Sequence, residues 1–120
     1  MKVINNYYPE SLNISANAKI RVSNLASPRT GEPVKNQFAI RVPMAGIIKF
    51  QSYNTLCASY DIDCRVLTLY PAAFGYSVTT SRYTRVFLED ECGLNANEAR
   101  LLFMQNRDNI GEDCPLYIQI

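Results

Sequence analysis

Residues 37–53, Gln37-FAIRVPMAGIIKFQS-Tyr53, read as two strands folded about a turn. Apolar and β-branched residues fill both arms. Between them, Pro43 suits the first corner of a turn and Gly46 can take a positive φ. Two registers are open to this hairpin. A bulge at Gly46 sets Phe38 opposite Phe50 and Ile40 opposite Ile48. Without the bulge, Ile40 meets Lys49. The bulged register is the expected one, because it gathers the large apolar side chains on one face.

The next stretch, Asn54-TLCASYDIDCRVLTL-Tyr70, continues the pattern as a second hairpin. A turn at Asp61-Ile62 predicts Tyr53 opposite Tyr70, Thr55 opposite Thr68, Leu56 opposite Leu67 and Ala58 opposite Arg65. Phe50, Leu56, Ala58, Leu67 and Leu69 then share a face with Phe38 and Ile40. The same register sets Cys57 opposite Val66 and leaves Cys64 diagonal to it, which argues against a disulfide between them.

Upstream, Leu12, Ile14, Ala16, Ala18, Ile20 and Val22 alternate with polar residues, as in a half-buried strand. Asn13-Ile14-Ser15 matches a glycosylation sequon, to which no role is given without a secretory signal. Ser27-PRTGEPVKN-Gln37 reads as a polar loop.

Downstream the period changes. Thr79 or Thr80 can cap a helix over about residues 80–91, with Tyr83, Val86 and Phe87 on its inner face. Gly93 is placed to end it in the left-handed conformation, with Leu94 folding back. Asn95-AN-Glu98 is a capping-box pattern that opens a second helix to about Asn106, with Ala99, Leu102 and Phe103 inward. After a polar turn, Leu116, Ile118 and Ile120 alternate as a last strand, ordered only if it pairs with a sheet edge. The expected fold class is α+β, one domain over residues 1–120. An antiparallel sheet of about four or five strands, with its meander at 37–70, packs one face on two helices from the C-terminal half.

Composition narrows the chemistry. The chain of 120 residues has no histidine, so the commonest general base and zinc ligand are missing. Its four cysteines, Cys57, Cys64, Cys92 and Cys114, form no CxxC pair. They read as reduced, partly buried thiols, and neither a metal nor a cofactor is expected. No apolar run is long enough to span a membrane, and the first residues lack the apolar segment of a secretory signal, so a cytoplasmic setting is expected. Net charge is +1 but segregated. Residues 1–87 carry ten Lys/Arg against four acids, and residues 88–120 carry two against seven. Such polarity favours charge-complementary contacts with a partner or within an oligomer.

Three candidate sites follow. Thr79, Thr80, Ser81, Arg82 and Arg85 stand at the mouth of the first helix, where free N–H groups and the helix dipole attract anions. The plainer alternative is a capped helix. Together with Arg65, these residues are the candidate partner- or anion-binding group. Glu89, Asp90 and Glu91 form an acidic interaction patch at the other helix end, where acids oppose the dipole and call for a compensating cation. Arg100, Arg107 or a partner's basic surface can supply it. Finally, basic residues alternating with tyrosines suit nucleic acid, although no nucleic-acid-binding signature is present. Asp61 and Asp63 share a turn, but no catalytic constellation emerges and no enzyme is expected.

Three segments, Asn36-QFAI, Phe50-QSYNTLCA and Tyr76-SVTTSRYTRVFL, resemble a family of small, functionally uncharacterised proteins carried by bacteriophages and plasmids. Its pattern runs NQFxI, FQSYNxxxA, YSxTTxxYxxxFL. The resemblance covers roughly residues 34–88 and departs at Pro71-AAFG, where members commonly show an aromatic residue before an Asp-Tyr-Ser run. It implies a mobile-element context inside a bacterial cell and no particular activity. By analogy with other tiny phage proteins, the expected role is binding a host or phage protein complex, such as a CRISPR-Cas or other antiphage system, and inhibiting it. A nucleic-acid-binding protein is the alternative, and an oligomer is expected under both.

Overall fold

The computed structural model describes residues 2–4, 7, 19–75, 77–107 and 115–120. Among them are seven strands and three α-helices. The strands are β1 (Lys2–Ile4), β2 (Arg21–Ala26), β3 (Pro33–Val42), β4 (Ile47–Ser52), β5 (Thr55–Asp61), β6 (Val66–Leu69) and β7 (Leu116–Gln119). The helices α1 (Ala72–Gly75), α2 (Val78–Asp90) and α3 (Ala96–Asn106) lie between β6 and β7 in the chain. One antiparallel sheet runs β1-β7-β6-β5-β4-β3-β2. The α+β class and the meander stand; the strand number is seven rather than four or five. The additional width comes largely from β1 pairing with β7, a contact between opposite ends of the chain.

The two hairpin registers differ from expectation. Val42 pairs with Ile47, Ile40 with Lys49 and Ala39 with Phe50, so the first hairpin has no bulge. Gly46 does take a positive φ of 63°, and its N–H donates to the Pro43 carbonyl across a short 3-10 turn, Pro43–Ala45. Four loop residues close the hairpin without an offset. In the second hairpin Ala58 pairs with Leu69 and Asp61 with Val66. Its turn is residues 62–65, held by the Asp61 carboxylate accepting from the Cys64 N–H at 3.0 Å and by Arg65 at φ 56°. Cys57 therefore lies beside Tyr70, whose N–H donates to its carbonyl, and Cys64 sits exposed in the turn. An irregularity in the β4–β5 ladder after Phe50 pairs Gln51 with Leu56 and leaves Cys57 as the extra residue.

Packing explains the first register. The helix-covered face takes small or narrow side chains from β3 and β5, Ala39 and Ala58, both buried. Phe50 then stacks on Phe87 of α2, with ring centroids 5.8 Å apart. Leu67, Leu69 and Ile118 extend this core across β6 and β7. Phe38 and Ile40 fall on the other face and are half-buried. Large residues there would have held α2 off the sheet. The polar loop is also shorter than expected. A turn closed by Ser27 and Glu32 leads into β3 at Pro33, and Asn36 bends that strand with φ 67°. Of the early alternating segment, residues 12–18 lie outside the described residues; Ile20 and Val22, at the β2 edge, are exposed.

The helices follow their local signals closely. Tyr83, Val86 and Phe87 are buried on α2, and Ala99, Leu102 and Phe103 on α3. Gly93 is left-handed, and the Leu94 N–H returns to the Leu88 carbonyl. Both arms of the Asn95/Glu98 capping box are made. The cap of α2, however, is Ser77 rather than Thr79 or Thr80, and its Oγ accepts from the Thr80 N–H at 3.0 Å. The last strand pairs within its own sheet, against β6.

Candidate functional site

Helix α2 carries most of the candidate residues, and the fold separates them into two environments. At its N-terminus lies a hollow of about 470 Å³ lined by Ser52, Tyr53, Thr55, Cys57, Thr79 and Thr80, among others. Its polar groups are largely engaged with one another. Ser77 Oγ donates to Thr80 Oγ1 at 3.1 Å, and Thr80 Oγ1 shares a hydrogen bond with Ser52 Oγ at 2.9 Å. Thr84 Oγ1 donates back to the Thr80 carbonyl at 2.8 Å. Thr80 and Ser52 are buried, so these bonds join α2 to β4 in a dry setting where each hydroxyl needs its partner. The Cys57 thiol is buried and its pKa raised, chiefly by desolvation, which keeps it a thiol rather than a nucleophile. Next to Ser52 in the ladder stands Gln37, fully buried, its amide without a partner. No arginine lines this hollow.

The arginines face elsewhere. On α2, Val78, Arg82, Arg85 and Glu89 recur at helical spacing, and on α3 so do Arg100, Met104 and Arg107. The helices run antiparallel, and two hollows lie along them. One, of about 270 Å³, is lined by Arg82, Arg85, Glu89 and Arg100, with Pro28 closing its far side. The other, of about 340 Å³, has Ser81, Arg85, Phe103 and Arg107 in its wall. Arg85 belongs to both. Its guanidinium carbon lies 5.7 Å from the centre of the Phe103 ring, a cation–π arrangement, and Phe103 in turn stacks on Phe74 at 4.7 Å. The Arg85 Nε is buried and has no acceptor. Glu89 stands among three arginines without an ion pair to any of them; among the described residues the ion pair is Arg41 with Glu91.

The candidate residues therefore divide. Thr79 and Thr80 line the hydroxyl hollow, while Ser81, Arg82 and Arg85 line the helix–helix groove. Arg65 joins neither. It follows β5 at the sheet end where Ile47 pairs with Asp61, whereas the α2 cap sits at the Ser52 end. The acidic patch also divides: Glu89 faces the groove, Asp90 is exposed, and Glu91 is neutralised by Arg41 of β3 rather than by Arg100 or Arg107. Cys92 is buried and its pKa raised, by desolvation first and the Glu91 charge second. The groove residues that sequence reasoning did not place there are Arg100, Arg107 and Phe103. Their spacing on α3 was visible, but not which helix they would face.

Among the described residues no cluster of three metal-ligating side chains occurs, and no helix is long and apolar enough to cross a membrane. No curated protein and no solved structure matches the chain. A family model does, over residues 4–104, and its function is unknown, as expected of a functionally uncharacterised family. The chain belongs to a family of unknown function, DUF8033.

Proposed function

We propose that this chain is a non-enzymatic accessory protein of a phage or other mobile element that acts by binding a protein complex through the outer face of α2 and α3. The observation that carries this is the composition of that face. Four arginines share this face with apolar side chains left in solvent: Val78 is 77% exposed and Met104 58%. Arginine with methionine, and no lysine on either helix, is a composition enriched in protein interfaces. The mobile-element setting draws on the resemblance described above. In that setting the partner class is a host antiphage system such as CRISPR-Cas, and binding inhibits it.

Nucleic-acid binding is the alternative, and the clustered arginines favour it. Against it, Phe103, in the groove wall, is buried and already stacked on Phe74, which leaves it no free platform for a base.

A photo-crosslinking side chain at Met104, with a second at exposed Thr30 as control, tests the proposal in bacterial cells. Adducts to one protein complex from Met104 and not Thr30 are expected. Adducts to nucleic acid alone, or equal adducts from both positions, would overturn it. Where the complex is a defence system, its activity should return when Met104→Asp replaces the native chain.

A further inference from the structure

The groove also specifies what it binds. Three guanidiniums around the first hollow face one carboxylate, and the second hollow adds Arg107. Arg82, Arg100 and Arg107 are exposed, and among the described residues none of the four arginines has an ion pair. Arg100 has only a 3.3 Å hydrogen bond to Asn97 in its own helix. A planar guanidinium grips a carboxylate through two parallel N–H bonds. Arg85 is the group best prepared for this. Packing over Phe103 restrains its side chain, so less freedom is lost on binding. Its Nε is buried against the protein, so a carboxylate reaches Arg85 through the terminal nitrogens.

We infer that the two hollows sharing Arg85 form one recognition groove for an acidic protein segment, whose carboxylates meet Arg82, Arg85, Arg100 and Arg107 and whose apolar side chains meet Val78 and Met104. The inference rests on the protein-binding proposal and names the chemistry of the partner. Val78 and Met104 lie on the same helical stripes as the arginines, so charge and apolar contact fall along one line. That combination suits a mixed acidic and apolar peptide better than a phosphodiester backbone, which has no use for the apolar positions.

The test is fluorescence anisotropy with the full chain. The probes are a fluorescein-labelled peptide of repeating Glu-Glu-Leu-Asp units, its lysine counterpart, and a short single-stranded oligothymidylate. The acidic peptide should bind and weaken with salt. Binding should fall at least about tenfold in the double variant R82E/R100E. R85K, which keeps the charge and loses the fork, should weaken it by a similar factor while circular dichroism shows the fold retained. No binding of the acidic peptide, equal binding by R82E/R100E, or tighter binding of the lysine peptide or oligothymidylate would overturn the inference. If Met104 still crosslinks to a protein complex while the peptide fails, only the acidic-segment inference falls; if both fail, the protein-binding proposal falls with it.

Discussion

The two sides of α2 use similar residues to opposite ends. At its N-terminus Ser77, Thr80 and Ser52 bond one another at about 3 Å, and Thr80 and Ser52 lie out of water. One turn later Arg82 and Arg85 lead into a groove whose arginines have no ion pair among the described residues. Groups that satisfy one another hold the fold together; groups left without partners are available to a ligand. On the proposal made above, the hydroxyls serve structure and the arginines recognition.

The largest expected effect lies under both regions. Phe87→Ala removes the ring that stacks on Phe50 and should cost about 3–5 kcal/mol in denaturant unfolding. A loss below about 1 kcal/mol would mean that α2 is not anchored through this contact.

Alkali should separate the regions next. Tyr7, Cys57, Tyr60, Tyr70 and Cys92 all have raised pKa values, led in each case by burial; Tyr7 also donates to Asp61 at 3.0 Å. A raised folded pKa means that above the unfolded value the native state binds more protons than the unfolded one. The stability these groups contribute is thus complete at neutral pH and falls as pH rises beyond about 8.5–10. Thermal midpoints should decline through that window. None of these groups lines the arginine groove, so R82E/R100E should show the same decline; a midpoint flat into strong alkali would contradict the burial described.

Smaller effects sharpen the contrast within α2 itself. Thr80→Val strands the buried Ser52 hydroxyl and should cost about 1–3 kcal/mol. Ser77→Ala removes the cap and should cost about 1 kcal/mol. Arg82→Gln and Arg100→Gln should each change stability by less than about 0.5 kcal/mol, since both are exposed and have no ion pair among the described residues. If the arginine changes cost as much as Thr80→Val, the groove is structural and the assignment of roles collapses.

Much of this was legible beforehand. Tyr83, Val86 and Phe87 marked the inner side of α2. The hydroxyl cluster was legible as a group, yet it pointed to the wrong cap, because Ser77, Thr79, Thr80 and Ser81 are all competent and only helix entry decides among them. Phe38 and Ile40 misled for a different reason. Hydrophobicity alone favoured them for the core, but the close approach of α2 required Ala39 there.

By itself the sequence determined the α+β class, the Pro43–Gly46 turn, the left-handed stop at Gly93 and the capping box of α3. Each depends on interactions within a few residues, which local composition is enough to specify. Tertiary structure decided the seven-stranded order, the hairpin registers, the Arg41–Glu91 pair and the convergence of Arg82, Arg85, Arg100 and Arg107. These require segments far apart in the chain to meet, and the side on which they meet is set by how large and small side chains fit between helix and sheet.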